Sequence, residues 1–485
     1  MTQTKENSKK RGAIIAVAFI FILFFKYLPA PKGLSVAAMQ VMGIFIGSLI
    51  LWMSISIDWP SMLCIAALAF VPGMKISKIL AEGVGNSTFS FLMFTFMCTY
   101  TLSRTPFIRR CAIWFLSTKI AQKGPWYFIL LYFVSVLFLG SFMSPTVLVV
   151  IMIAVTEEIY GVLGLEKGDR TANMMMLGMV FVSGIAAGMT PVAHVFPLMA
   201  MGYYTTATGQ AISYASYMAV GVPVAIITMA AMILIFRFIL KPDLSAIKSF
   251  DVSKLKNSQE PMDNREKYSL IIFFAVVALW VVPGIIKPFA PQVYNYINGF
   301  GTAMPPLLGA VAMAIITCEG KPLLNFSEAT SKGVPWASLI MVAATLSLGS
   351  AMTNEEIGLT AWIGEQIAPL ATTLAPLALV FLFILWACIQ TNFSSNMVTV
   401  TVVCAIALPI TLATGGGVNA AAVASLVGMM ASFAFATPPA MATIVFAIGS
   451  GWSATTDFAK YGFLLMSSGA VIATFVGYPI ACLVM

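Results

Sequence analysis

Four short polar breaks interrupt the long apolar stretches of this chain. They are Ser144-Pro145-Thr146, Thr190-Pro191, Ser395-Asn396-Met397 and Thr437-Pro438. Serine, threonine and asparagine favour the N-cap of a helix, and proline is tolerated at the first helical position because no N–H is needed there. We therefore predict that Ser144 and Thr190 cap helices beginning at the prolines that follow them. Thr437-Pro438 repeats this pattern, and Ser395-Asn396 offers two capping side chains.

Helix N-termini supply the chemistry that these breaks predict. Each N-terminus has about half a positive charge and unpaired N–H donors, which together bind anions. Four of them meeting would form a site for a small anion. Ser-Pro and Thr-Pro also occur as plain kinks in membrane helices, and that simpler interpretation applies to any single break taken alone.

The breaks occur at matching places in the two halves of the chain. Ser144 and Ser395, like Thr190 and Thr437, are about 250 residues apart. One structural unit is therefore predicted to occur twice, and an odd number of spans per unit would orient the two copies oppositely. Inverted repeats of this kind place a binding site at the membrane midplane, between broken helices.

The stretches around the breaks are free of charged side chains. No Asp, Glu, Lys or Arg occurs from Thr171 to Phe236 or from Gln366 to Thr456. Carboxylates inside a membrane mark proton and cation pathways, so a sodium/proton exchanger with a buried Asp is disfavoured. An anion held without arginine needs helix dipoles, hydroxyls and a bound cation, and backbone carbonyls at broken helices are the usual sodium ligands.

The composition is that of a polytopic membrane protein. Hydrophobic residues make up 60% of the 485 residues and charged residues 9%, whereas soluble proteins have roughly a quarter charged residues. The net charge of +8 comes without a basic stripe beside aromatics, so no nucleic-acid partner is predicted. No CxxC, HExxH, GxSxG, P-loop or GxGxxG motif occurs, so we predict neither an enzyme nor an organic cofactor.

We predict an all-α fold of about 11 transmembrane helices and two re-entrant hairpins, divided into four regions. These are an N-terminal helix (1–33), a first inverted repeat (34–240), a cytoplasmic linker (241–267) and a second inverted repeat (268–485). The hairpins are placed at 125–163 and 374–413, and the broken helices at 190–191 and 437–438. With this topology, all Lys and Arg residues except Lys26, Lys32, Lys75, Lys78 and Lys287 lie on one side. The positive-inside rule makes that side, with the N-terminus, cytoplasmic, and we predict a bacterial-type plasma membrane.

Two sequence motifs in the second half resemble those of a known family. Gln390-Thr391-Asn392-Phe393-Ser394-Ser395-Asn396 and Ala436-Thr437-Pro438-Pro439 are similar to the divalent anion:sodium symporter family of dicarboxylate, citrate and sulfate carriers. The resemblance covers nearly the whole chain and includes Trp336 and Trp362-Ile363-Gly364. It implies a homodimer whose scaffold and transport domains move as an elevator.

The resemblance also implies roles for individual residues. Thr391, Ser394, Asn396 and Ala436 match a sodium site, and Ser395, Asn396, Met397, Thr437 and Pro438 would face the substrate. In the first half the substrate would meet Ser144, Pro145, Thr146, Thr190, Pro191 and His194, and a further sodium site would involve Ser144 and Ala193. The chain departs from the family pattern at Pro145, where the family has Asn, and at Met397, where it has Thr.

The only histidine, His194, lies four residues after Thr190, where the family usually has a hydroxyl. One interpretation is a buried neutral imidazole bonded to a backbone carbonyl. The other is that protonated His194 supplies positive charge that the altered sodium site no longer offers. An unperturbed histidine titrates near pH 6.5, so the second interpretation predicts that anion uptake rises on acidification.

The sequence thus predicts a secondary active transporter of small anions, most simply di- or tricarboxylates. Transport would occur by sodium symport or anion exchange through an elevator mechanism, with Na⁺ as the coupling ion. Two alternatives stay open: a carrier of an inorganic oxyanion such as sulfate, and an anion channel that uses the same helix termini. The predicted partners are the substrate, the lipid bilayer and a second copy of the chain.

Overall fold

The computed structural model describes residues 2–249, 261–287, 289–359, 362, 365–366 and 374–485. Part of the predicted linker, and part of the motif Trp362-Ile363-Gly364, lie outside the described residues. Within the described part, nine helices are long and apolar enough to cross a membrane, and further apolar helices of 10–17 residues accompany them. The prediction of an all-α polytopic membrane fold is confirmed, while the inversion of the repeats stays a prediction.

The first half of the chain consists of helices joined by short connecting segments. Their bounds are α1 Thr2–Phe24, α2 Val36–Ser54, α3 Trp59–Leu68, α4 Ile76–Gly83, α5 Ser87–Ser103, α6 Phe107–Leu116, α7 Pro125–Gly140, α8 Pro145–Leu163, α9 Arg170–Met189, α10 Val195–Thr208 and α11 Tyr214–Ile235. A π-helical turn, Phe236–Leu240, extends α11 toward the linker.

The second half follows a similar order. Its helices are α12 Asn264–Ile286, α13 Pro291–Gly299, α14 Met304–Ile315, α15 Phe326–Glu328, α16 Trp336–Thr353, α17 Pro376–Phe393, α18 Asn396–Ala413, α19 Ala420–Met430, α20 Ala442–Gly449, α21 Thr455–Ile472 and α22 Tyr478–Val484. Two short strands, β1 Thr317–Cys318 and β2 Lys321–Pro322, form an antiparallel hairpin in which Thr317 pairs with Pro322. Its turn uses Glu319 and Gly320, both at positive φ, as a two-residue hairpin turn requires.

Glycines allow several helices to approach closely. Gly43 and Gly47 of α2 lie against α1, where an added Cβ would be 2.5 Å from the carbonyl oxygen of Phe21 and 2.6 Å from that of Ala18. This spacing is the small-xxx-small pattern with which membrane helices pack backbone to backbone. The N-terminal helix is therefore packed against the rest of the protein as a structural element.

Helix pairs with tight connections occur in both halves. Helices α7 and α8 are joined by residues 141–144, and α17 and α18 by Ser394-Ser395. Each pair is followed by a helix that ends inside the protein, α9 at Met189 and α19 at Met430. Of the candidate spans among the described residues, α9 has the largest buried share, with 94% of its apolar window buried.

The predicted helix starts are correct after Ser144 and Ser395. The prediction that Thr190 and Thr437 cap helices is wrong. Helix α8 begins at Pro145 and α18 at Asn396. Thr190, however, is the C-cap of α9, and the next helix begins only at Val195. A residue before proline is pushed into the extended conformation, and Thr190 has φ −128° and ψ 150°. Pro191 therefore ends one helix and lies in a turn instead of starting the next.

Thr437-Pro438 gives a related correction. Pro438 begins only a short 3₁₀ turn, Pro438–Ala440, and α20 begins after it at Ala442. The Thr437 side chain does not cap that turn. Both breaks are thus several residues of non-α-helical backbone, which a membrane protein tolerates only where the backbone is enclosed by protein or lines a cavity.

Candidate functional site

The second hairpin and the second break are joined by a cluster of oxygen atoms. The Thr391 hydroxyl donates to the carbonyl oxygen of Ala431 (2.6 Å). One amide atom of Asn396 is 3.0 Å from Thr391 Oγ1, 3.0 Å from the Ala440 carbonyl oxygen and 3.2 Å from the Thr391 carbonyl oxygen. Because all three neighbours are oxygens, the hydrogen-bonding surroundings assign the amide nitrogen to this position. The same oxygens would suit a cation, since they are neutral carbonyl and hydroxyl ligands.

Asn392 holds the unwound segment to the end of α17. Its Nδ2 donates to the carbonyl oxygens of Cys388 (2.8 Å) and Phe433 (2.9 Å). Its Oδ1 accepts from the backbone N–H of Ala436 (2.8 Å), and its own carbonyl accepts from the Thr437 hydroxyl. The side chain is fully buried. One amide therefore fixes the path of residues 431–437 beside the hairpin.

The first hairpin is joined to the first break in a similar way. The Thr190 hydroxyl donates to the carbonyl oxygen of Ser141, in the turn between α7 and α8. The Tyr217 hydroxyl donates to the carbonyl oxygen of Gly188 (2.6 Å) near the end of α9. A hydroxyl has a single hydrogen to donate. In this structure Thr190 and Thr437 both use it on backbone carbonyls, so these two predicted substrate contacts position loops and have no donor left for an anion.

Ser144 and Ser395, at the starts of α8 and α18, differ from serines elsewhere in the protein that make N-cap hydrogen bonds. Ser35 and Ser213 each accept a hydrogen bond from a first-turn N–H at 3.0 Å, as an N-cap normally does. Ser144 and Ser395 occupy the same N-cap position but make no side-chain capping bond. Nor does Asn396 cap α18, because its amide faces the oxygen cluster. Both hydroxyls, and the first-turn N–H groups, remain available to a ligand.

Two further polar atoms at the breaks have no partner among the described residues. The Ser394 hydroxyl, in the second hairpin turn, is buried and makes no hydrogen bond. His194 is the N-cap residue of α10, and its Nδ1 atom is likewise buried and unpartnered. Its ring lies 4.0 Å from that of Phe196. Unsatisfied polar groups are costly inside a protein, so they mark places where a ligand or ion would be stabilised.

Glycines bring the two breaks together. A Cβ on Gly188 of α9 would be 2.8 Å from the carbonyl oxygen of Met429, and one on Gly184 would be 3.0 Å from that of Ser432. A Cβ on Gly428 of α19 would be 3.0 Å from the Cα atom of Pro197, in the first turn of α10. The end of each broken helix therefore packs directly on the backbone of the other half.

The remaining predicted residues have varied surroundings. Pro145, Pro191, Ala193, Met397 and Ala436 are buried, Pro438 is half-buried and Thr146 is exposed. Within the described part of the chain, no hydrogen bond joins Ser144, Thr146 or His194 to the cluster around Asn396. The structure thus brings together the second-half residues as one cluster and ties Thr190 of the first half to a separate hairpin turn.

Sequence reasoning named Asn392 only as part of a motif and missed its central position. Its partners Phe433 and Ala436 are more than 40 residues away along the chain. The signal was an amide close to the end of the long apolar stretch 376–389. A buried amide needs several partners, so it predicts a bonded backbone nearby without saying which one.

Comparison with known proteins identifies the family. The family model described as citrate transporter matches residues 44–431. The chain belongs to this family. It is similar to the sodium-dependent dicarboxylate transporter SdcS of Staphylococcus saprophyticus, with 24% identity over 461 residues that cover 90% of this chain and 86% of the relative. SdcS of Staphylococcus aureus (strain MSSA476) is 25% identical over 361 residues, covering 72% and 68% respectively.

A solved transporter structure has a similar fold. The YdaH transporter of Alcanivorax borkumensis superposes with a TM-score of 0.56 at 11% identity, covering 92% of this chain and 99% of that protein. The resemblance to the divalent anion:sodium symporters is confirmed by these matches. The chain is an integral membrane transporter and not an enzyme.

Proposed function

We propose that this protein is a sodium-coupled secondary transporter of small dicarboxylates. The observation that supports it most directly is the pair of hairpin serines, Ser144 and Ser395, that stand at helix N-termini without capping them. Each leaves one hydroxyl and the first-turn N–H groups for an anion, and the helix dipole favours negative charge at that place. Two such termini equal in number the two carboxylates of a dicarboxylate. The SdcS relatives are named for dicarboxylates.

The sodium ion is proposed to bind at the second-half cluster. Thr391, Asn396 and the carbonyls of Ala431 and Ala440 supply neutral oxygen ligands, and the unpartnered hydroxyl of Ser394 lies in the same turn. On sodium binding, the Asn396 side-chain amide would rotate so that its oxygen, and no longer its nitrogen, faces the ion. Ala436, fixed by Asn392, is proposed as a backbone ligand. In the first half, Ser144 and Ala193 provide a poorer set, because Pro145 replaces an amide.

The first-half residues are proposed to complete the anion site. Thr146 lies in the first turn of α8, and His194 directly precedes α10; neither helix has a side-chain cap. Pro145 and Pro191 shape the backbone near these two residues. Protonated His194 would add positive charge beside the substrate. Because no Asp or Glu occurs from Thr171 to Phe236, the counter-ion of an imidazolium there would be the substrate itself. Ser395, Met397, Thr437 and Pro438 form the wall on the other side in this proposal.

The wider features of the family are proposed along with this function. These are a homodimer, an elevator movement of the hairpins and broken helices against a scaffold domain, and an N-terminus in the cytoplasm of a bacterial-type cell. The first and second repeats (34–240 and 268–485) would have opposite orientations. The order of hairpin helices and broken helices in each half supports the repeat.

Uptake of labelled succinate into proteoliposomes tests the proposal. The purified protein is assayed with an inward sodium gradient, without sodium, and with unlabelled succinate inside the vesicles. Sodium-driven accumulation is the expected result. Stimulation only by internal succinate would replace symport with exchange, and inhibition by sulfate but not by succinate analogues would replace the dicarboxylate with an inorganic oxyanion. Conductance without counterflow would overturn the carrier in favour of a channel.

A further inference from the structure

A cavity of about 280 Å³ lies against the tip of the first hairpin. One wall is a single face of α5, formed by Phe96, Thr99, Tyr100 and Ser103 at helical spacing. The opposite wall is the hairpin itself, from Met143 to Val147 and including Ser144. The third side is the segment before α16, with Lys332. Six of its lining side chains are hydroxylic or cationic: Thr99, Tyr100, Ser103, Ser144, Thr146 and Lys332.

The charges at this cavity are unequal. Arg104 and Lys332 both approach the same oxygen of Glu328, Arg104 at 3.9 Å and Lys332 at 3.4 Å. The Tyr100 hydroxyl donates to that oxygen as well, at 3.0 Å. These hydrogen bonds, first that from Tyr100 and then that from Lys332, hold the pKa of Glu328 below its ordinary value. The group of two cations and one carboxylate therefore has an excess of one positive charge.

Lys332 is free to turn into the cavity. Its side chain is 66% exposed, and its contact with Glu328 is an i,i+4 pair at the surface, which is weak. The backbone beside it is held close to α5, because a Cβ on Gly333 would be 2.7 Å from the side chain of Tyr100. A flexible cation is thus anchored on a fixed backbone at the mouth of a cavity that ends at the uncapped Ser144.

We propose that this cavity is the vestibule through which the substrate anion reaches the first hairpin. In this proposal Lys332 leaves Glu328 and binds a carboxylate of the substrate in its place. The proposal rests on the proposed function for the identity of the substrate, a small dianion. Ser144 then receives the anion from Lys332, and Glu328 limits how long Lys332 holds it. Lys332 acts on substrate approach and release and is not one of the residues at the helix breaks.

Kinetics of succinate uptake by Lys332 and Glu328 variants test the vestibule. Removing one positive charge about 6 Å from a dianion near the surface changes its local concentration on the order of five-fold at low salt. K332Q should therefore raise KM for succinate about five-fold and flatten its dependence on ionic strength in vesicles whose outer face is the one that carries Lys332, while K332R keeps the wild-type values. E328Q should lower KM, because Lys332 loses its competitor. K321Q removes a lysine that is exposed on β2 and does not line the cavity, and serves as the matched control.

A labelling experiment separates the vestibule from the identity of the substrate. Ser103 is replaced by cysteine in a C318S/C482S background, because the other five cysteines are buried. We expect the ratio of its reaction rates with anionic and cationic methanethiosulfonates to fall about five-fold when K332Q is added, by the same Coulomb argument. If the wild type takes up no succinate but K332Q still lowers the ratio of labelling rates, the proposed dicarboxylate function is refuted and the proposed vestibule is supported. An unchanged ratio, or a KM in K332Q equal to that in K321Q, would overturn the vestibule and leave the function standing.

Discussion

Replacing Asn392 with alanine should release residues 431–437 from the end of α17. The substitution removes the donor to the Phe433 carbonyl and the acceptor of the Ala436 N–H, both of which belong to buried residues. Each buried group left without a partner costs about 1–3 kcal/mol, so N392A, which leaves two, should destabilise the protein by about 2–6 kcal/mol. The Cys388 carbonyl keeps its helical hydrogen bond and adds little.

Thermal unfolding of the purified protein in detergent, with and without sodium, measures this effect. We expect the unfolding midpoint of N392A to fall on the order of 5 °C and the stabilisation by sodium to shrink, since an ion that binds only the folded segment stabilises it by mass action. N392D should be worse, because its carboxylate keeps the bond from Ala436 but faces the two carbonyl oxygens. N295A, at an exposed asparagine of α13, is the control. An N392A midpoint equal to that of N295A would refute the reasoning.

Three further substitutions test the site. T391V removes the hydroxyl that bonds the Ala431 carbonyl and should raise the sodium concentration for half-maximal uptake at least about ten-fold; an unchanged sodium dependence would remove Thr391 from the ion site. S395A should lower kcat/KM for succinate about ten-fold without lowering the unfolding midpoint, because this hydroxyl caps nothing, whereas the exposed S467A should change neither. Under the proposed role of protonated His194, wild-type uptake should rise on acidification, and H194Q should abolish that rise; a pH profile that H194Q leaves intact would show that His194 is structural.

Much of the fold could be predicted because the membrane imposes it. Apolar stretches of sufficient length must be helices, since lipid leaves no other partner for backbone groups. The helix starts at Pro145 and Asn396 were also predictable, because proline at the first helical position and a preceding serine are local signals. These features depend only on residues next to one another in the chain.

The capping geometry could not be predicted, because it depends on what lies across the interior. Thr190 and Thr437 have the sequence of N-caps, yet their hydroxyls bond the carbonyls of Ser141 and Asn392. The sequence pattern gives no preference between these partners and the first-turn N–H groups, since both satisfy a hydroxyl. The same holds for Asn392. Its hydrogen-bond partners lie 41 and 44 residues further along the chain, and the bonds exist only because α17 lies beside the break.

The absence of charged side chains around the breaks gives a physical reason for coupling under the proposed function. Helix termini and hydroxyls attract an anion, but each terminus supplies only about half a charge. With His194 neutral, a dicarboxylate leaving water for this site therefore meets less positive charge than it brings, and the shortfall is costly in a low dielectric. Sodium at the Thr391 cluster supplies the missing charge, and the Asn392 bonds link that cluster to the loop beside the substrate. Neither ion is then bound well alone, so each favours the binding of the other, as symport requires.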